Sequence, residues 1–158
     1  MSWASASWVC SALLAALLVS GCGDKRALSA SGFQPLAGLE DVPDRRTGGS
    51  VEPVPTWRAQ GGEVAFSVVL RNRIDANLHV TGVVRDEDGD DQQFVPTGID
   101  APVRLGPGDR RRIEVRGRAE CNGRAGGQVS GKNDQWFTLD DGSDLDVDLG
   151  VLLEFVCR

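Results

Sequence analysis

From Val51 to the C-terminus, apolar residues recur at alternate positions and the runs are broken by Gly, Pro, Asn and Asp. A period of two is that of a strand with one buried face, so this part of the chain predicts antiparallel sheet. Val64–Leu70 puts Val64, Phe66, Val68 and Leu70 on one face, and Leu78–Val84 aligns Leu78, Val80 and Val84, with Gly82 placed for a bulge. Phe94-Val95 and Val103–Leu105 are short and read as sheet edges. Ile113, Val115, Gly117, Ala119 and Cys121 alternate with Glu114, Arg116, Arg118 and Glu120. Trp136–Leu139 opens a hairpin whose Asp140-Asp141-Gly142 turn leads into the last strand. There Leu145, Val147, Leu149, Val151, Leu153, Phe155 and Cys157 hold one parity, and Asp144, Asp146, Asp148, Gly150 and Glu154 the other. A slip of one residue would bury three aspartates, so the register is strongly specified. No long helix is predicted after residue 50.

The N-terminus is patterned differently. Met1–Gly23 contains no Asp, Glu, Lys or Arg, and its densest apolar run, Trp8–Gly21, is shorter than the roughly 20 residues a membrane-spanning helix needs. That length suits the h-region of an export signal. The run ends in Leu18-Val19-Ser20-Gly21-Cys22, which resembles a bacterial lipobox: an aliphatic residue, two small residues and a cysteine. The resemblance implies a lipoprotein signal peptide over residues 1–21, cleavage before Cys22, and a diacylglycerol on the Cys22 thiol. Acyl chains of that kind hold a protein stably on a bilayer. It therefore implies a chain anchored in the cell membrane on its extracytoplasmic side. Met1–Ser7 lacks the Lys or Arg of an ordinary signal peptide, leaving the α-amino group as its charge. The alternative is an uncleaved membrane helix from Trp3 to Gly21, with Lys25 and Arg26 favouring a cytoplasmic C-terminal side.

Residues 22–50 scatter Gly, Ser, Pro and charge without a period, and read as the lipidated N-terminus and a flexible linker. Within them Phe33, Leu36, Leu39 and Val42 could instead dock as one amphipathic turn. The folded domain is then expected over residues 51–158. Its seven or so short strands suit an immunoglobulin-like antiparallel β-sandwich. Val69-Leu70-Arg71-Asn72, Val80-Thr81-Gly82-Val83, and Leu105-Gly106-Pro107-Gly108-Asp109 leading into Arg112-Ile113-Glu114-Val115 resemble the pattern of bacterial extracytoplasmic Ig-like domains. That resemblance implies a fold and no activity.

Of the four cysteines, Cys10 and Cys22 fall in the export segment, which leaves Cys121 and Cys157 for the domain. Both end strands on the apolar parity, and an exported chain meets an oxidising compartment, so the pair reads as a disulfide. Closing that loop is worth about 4 kcal/mol by the chain-entropy estimate. Two buried free thiols are the alternative.

Formal charge is −6, from 17 Lys+Arg against 23 Asp+Glu, which argues against a nucleic-acid partner. Aromatics make up 6% of the chain and Tyr is absent, so the core must rest mainly on Val, Leu and Ile, which favours sheet. With a single histidine, His79, and no phosphate loop or nucleophile elbow, no catalytic, cofactor-binding or metal-binding residue is assigned and an enzyme is not expected. Asp86-Glu87-Asp88-Gly89-Asp90-Asp91 invites a calcium reading, but its glycine and closing position do not fit an EF-hand loop, and a solvated turn accounts for it. Asp140, Asp141 and Asp144 are read the same way. Arg110, Arg112, Arg116 and Arg118 share an outward parity, as do the strand-end aspartates. If the two strands are neighbours these rows pair; if they lie in opposite sheets the molecule has one basic and one acidic flank, and the arginines could meet anionic headgroups or wall polymers. One of Trp136 and Phe137 must face outward. The expectation is a non-enzymatic, lipid-anchored envelope protein that binds or supports another envelope protein or polymer. A calcium-dependent adhesion or ligand-binding module, or an accessory subunit of a membrane complex, are the alternatives.

Overall fold

The computed structural model describes residues 27–43, 53–85, 94–120 and 129–156. These residues form only strands and their connections, arranged as two sheets packed in a sandwich. In chain order the strands are β1 (Leu28–Ala37), β2 (Glu40–Asp41), β3 (Thr56–Ala59), β4 (Gly62–Asn72), β5 (Leu78–Val84), β6 (Phe94–Ile99), β7 (Val103–Leu105), β8 (Arg110–Ala119), β9 (Val129–Leu139) and β10 (Asp144–Val156). One sheet has the order β1-β4-β8-β6, the other β2-β3-β10-β9-β5-β7. All neighbours are antiparallel except β3 and β10, which run parallel.

The period-two pattern is what fills the space between the sheets. Val64, Phe66, Val68 and Leu70 of β4, Ile113 and Val115 of β8, and the six apolar residues Leu145–Phe155 of odd number on β10 are all buried. Five rings run through this core in succession: Trp57, Phe33, Phe66, Phe94 and Phe155, with neighbouring centroids 5.1–6.2 Å apart. Gly117 is required by close approach: a Cβ there would strike the Phe94 ring and lie 2.7 Å from the Val95 carbonyl oxygen. β6 and β7 are sheet edges, as expected, although β6 runs on to Ile99, beyond the expected Phe94-Val95. The register of β5 against β9 shifts between Val80 and Gly82, a bulge beside the glycine that suggested one.

Two boundaries differ from the sequence reading. The sandwich begins at Leu28, inside the stretch expected to be linker: β1 pairs with β4 from Leu28↔Asn72 to Ala37↔Ala65. β1 is an edge strand with register shifts at Ser31/Gln34 and Pro35/Ala37, so its alternation is interrupted and the period-two signal is lost. Phe33 and Leu39 pack against the core from this segment, on strand and connection and not on an amphipathic turn, while Leu36 is exposed. Gly38, at φ +69°, closes it: a Cβ at that position would collide with the Glu63 carbonyl oxygen. The second difference is β9, which starts at Val129, seven residues ahead of the expected opening at Trp136. Residues 1–26, with the expected signal peptide and Cys22, lie outside the described residues, as do Cys121, Cys157 and residues 86–91.

Candidate functional site: two charged faces and a polar cleft

The Arg-bearing strand β8 lies in the four-stranded sheet and the Asp-bearing strand β10 in the six-stranded one. Their charged rows face away from each other across the core, so the rows do not pair and the molecule has two unlike flanks.

On the first flank, Arg110, Arg112, Arg116 and Arg118 are all exposed. Arg112 is tied down: its guanidinium donates to the Gly32 carbonyl at 3.1 Å and to Ser67 Oγ at 2.8 Å, fastening β8 across β4 to β1. The Arg116 guanidinium donates to Glu114 at 2.6 Å, and that hydrogen-bonded carboxylate raises its pKa further above the ordinary arginine value. At the other end of β8, Arg110 stands directly opposite Arg71 of β4. Like charges placed opposite each other across a ladder repel.

On the second flank, Asp144, Asp146 and Asp148 register with Thr138, Trp136 and Asp134 of β9. Of the aromatic pair, Phe137 is buried in the core and Trp136 is the outward member, half-buried between Val84 and Asp146. The aspartates have separate local duties. Asp144 accepts from the Thr138 hydroxyl at 2.8 Å, and Asp148 accepts from the Gly150 N–H at 2.8 Å. In the β9–β10 turn, Asp141 accepts from both the hydroxyl and the N–H of Ser143, at 2.6 and 2.9 Å, which holds its carboxyl below the usual aspartate range. Asp140 turns instead toward His79 Nδ1, 3.3 Å away. Asp140, Asp141 and Asp144 thus serve three different partners and do not converge. Among the described residues no group of three or more His, Cys, Asp or Glu is placed to hold a metal.

Two features went unseen in the sequence. Glu154 is only 1% exposed although its parity faces outward. Arg58 on the parallel neighbour β3 covers it, donating from Nε at 3.1 Å and from Nη2 at 2.7 Å to the same carboxylate oxygen. Nothing in Thr56–Ala59 announces a strand, because four residues are too few for a period, so its partner could not be found. The second is an open cleft of about 300 Å³ lined by Asn77, His79, Arg104, Leu105 and Asp140. His79 and Arg104 are cross-strand partners on β5 and β7, and Asp140 arrives from the β9–β10 turn. The cleft offers an imidazole, a carboxylate and a guanidinium, with no hydroxyl or thiol among its described lining residues. It suits polar contact better than nucleophilic chemistry.

No protein-family model matches the chain, and no curated protein is detectably similar to it.

Proposed function

We propose that the protein is a lipid-anchored component of a bacterial cell envelope, held on the extracytoplasmic side of the membrane through Cys22, and that its β-sandwich binds or supports another envelope component without catalysing a reaction. The observation that carries this is the lipobox-like run Leu18-Val19-Ser20-Gly21-Cys22 at the end of an uncharged apolar segment, a few residues ahead of the first sandwich strand.

Other features support the same reading. Numbered without β2, β3 and β7, the strand order pairs the first, second, fifth and fourth strands in one sheet, and the third, sixth and seventh in the other. That order supports reading the sandwich as immunoglobulin-like, a fold used widely for binding. The course of the described strand ends supports the expected bridge between Cys121 and Cys157. Ala119 registers with Gly62 and Phe155 with Ala59, so β8 and β10 run out beside the same short β3–β4 connection, in opposite sheets. We assign the partner surface to the acidic flank around Trp136, where an outward indole sits among carboxylates. An aromatic side chain with a polar surround is the usual composition of a binding hot spot.

Affinity isolation from detergent-solubilised membranes tests this. A partner should be recovered in stoichiometric amount with the wild type and be lost with Trp136→Ala. Recovery of the protein alone, or of the same partner with both, would overturn the assignment.

A further inference from the structure

Where the chain enters the sandwich, four arginines without an ion-pair partner stand together among the described residues. Arg71 and Arg73 lie at and just past the end of β4, and Arg110 and Arg111 begin β8; all four are exposed. None of them has an ion-pair partner among the described residues. Arg71 and Arg110 are directly opposite one another, an arrangement that costs stability in the isolated domain. The nearby acids are Asp75 and Asp109, and the Asp109 carboxylate is engaged by the Gly106 N–H of its own turn at 2.9 Å. On the six-stranded sheet the same end carries Asp140 and Asp141, which are occupied by His79 and Ser143.

Ala27 is pinned to this cluster, since its carbonyl accepts the Arg73 N–H at 2.9 Å. From Ala27 back to Cys22 there are five residue steps, which reach at most about 18 Å fully extended. Lys25 and Arg26, with one carboxylate, Asp24, stand within that interval. A chain anchored at Cys22 therefore cannot carry this end of the domain far from the headgroups; even at full stretch the distance is about two Debye lengths of about 10 Å each. The charge sign is matched as well: clustered Arg and Lys beside a membrane attachment point are attracted to anionic lipid. With net charge −6 overall, the rest of the domain is repelled by the same surface, so the field selects an orientation.

We propose that the end bearing Arg71, Arg73, Arg110 and Arg111 docks on an anionic bilayer surface, standing the sandwich upright with its far end, near Arg118, directed away from the membrane. The attached state relieves the Arg71–Arg110 repulsion by placing lipid phosphates between the guanidinium groups. The proposal rests on the Cys22 anchor for its geometry, and its test is separable from that anchor.

The experiment uses the chain as extracted from membranes and reconstituted into vesicles of phosphatidylcholine, alone or mixed equally with phosphatidylglycerol. Arginine modification by phenylglyoxal is then followed peptide by peptide. The expected result is a several-fold slower reaction of the four clustered arginines in the anionic vesicles than in the neutral ones. Arg118, on the same strand at the other end, should react at one rate in both. A joint Arg71→Gln and Arg110→Gln change should return Arg73 and Arg111 to the neutral-vesicle rate. Equal rates for the cluster in both vesicles, or an equal slowing of Arg118, would overturn the docking. The intact mass of the same sample reports acylation separately: protection on an unacylated chain keeps the docking and removes the anchor, and acylation without protection does the reverse.

Discussion

Asn72 is fully buried at the end of β4 and works as a three-way brace. Its amide donates to the carbonyls of Ala76, at 2.7 Å, and Leu105, at 3.0 Å, while its side-chain oxygen accepts the Ile74 N–H at 3.0 Å. The β4–β5 turn is thereby bonded to itself and to β7 in the other sheet. Asn72→Ala would take the donor from the buried Leu105 carbonyl and release two part-buried groups of the turn, so a loss of about 2 kcal/mol is expected, read as a lower urea midpoint at unchanged slope. Asn72→Asp should cost more, because a carboxylate would face two carbonyl oxygens. An Asn72→Ala protein within about 0.5 kcal/mol of wild type would contradict the brace. At this scale the sequence was partly legible: a strand ending in Asn is visible, but its three partners are separated along the chain. The Arg58–Glu154 pair was not legible at all, because burial of an outward-facing glutamate depends on which strand lies beside it.

At the scale of elements, the strands with a long uninterrupted alternation are the ones legible in the sequence: β4, β8 and, above all, β10. Those not legible, β1 to β3, are edge-proximal, bulged or too short to show a period. Hydrophobic alternation records burial of one face, and an edge strand that buries a few side chains records little. The claim that β1 belongs to the fold has a direct consequence. Phe33 stacks on Phe66 with ring centroids 5.1 Å apart and leans on Trp57 at 6.1 Å, so Phe33→Ala should cost about 2–4 kcal/mol. A chain beginning at residue 51 should lose cooperative unfolding, since it exposes the ladder of β4 and the rings beneath β1. If Phe33→Ala leaves the thermal midpoint in place and the shortened chain still melts cooperatively, the segment is a linker after all.

Across the whole molecule, the sandwich separates its charges. Arginines line β8 of the four-stranded sheet and the chain-entry end; aspartates with Trp136 line β9 and β10 of the six-stranded sheet, which also carries Arg58 and Arg104. Neither the sheet assignment of β8 and β10 nor this polarity follows from strand parity, which fixes the side of a strand and leaves open the sheet it joins. The polarity gives the proposed anchor and the proposed partner surface separate places on one small domain. All of it presumes a chain exported and acylated. The intact mass of the protein extracted from membranes tests that presumption most directly. The account predicts a chain beginning at Cys22, heavier by a diacylglycerol and lighter by the two hydrogens of a Cys121–Cys157 bridge. The mass of the unprocessed 158-residue chain with free thiols would contradict it.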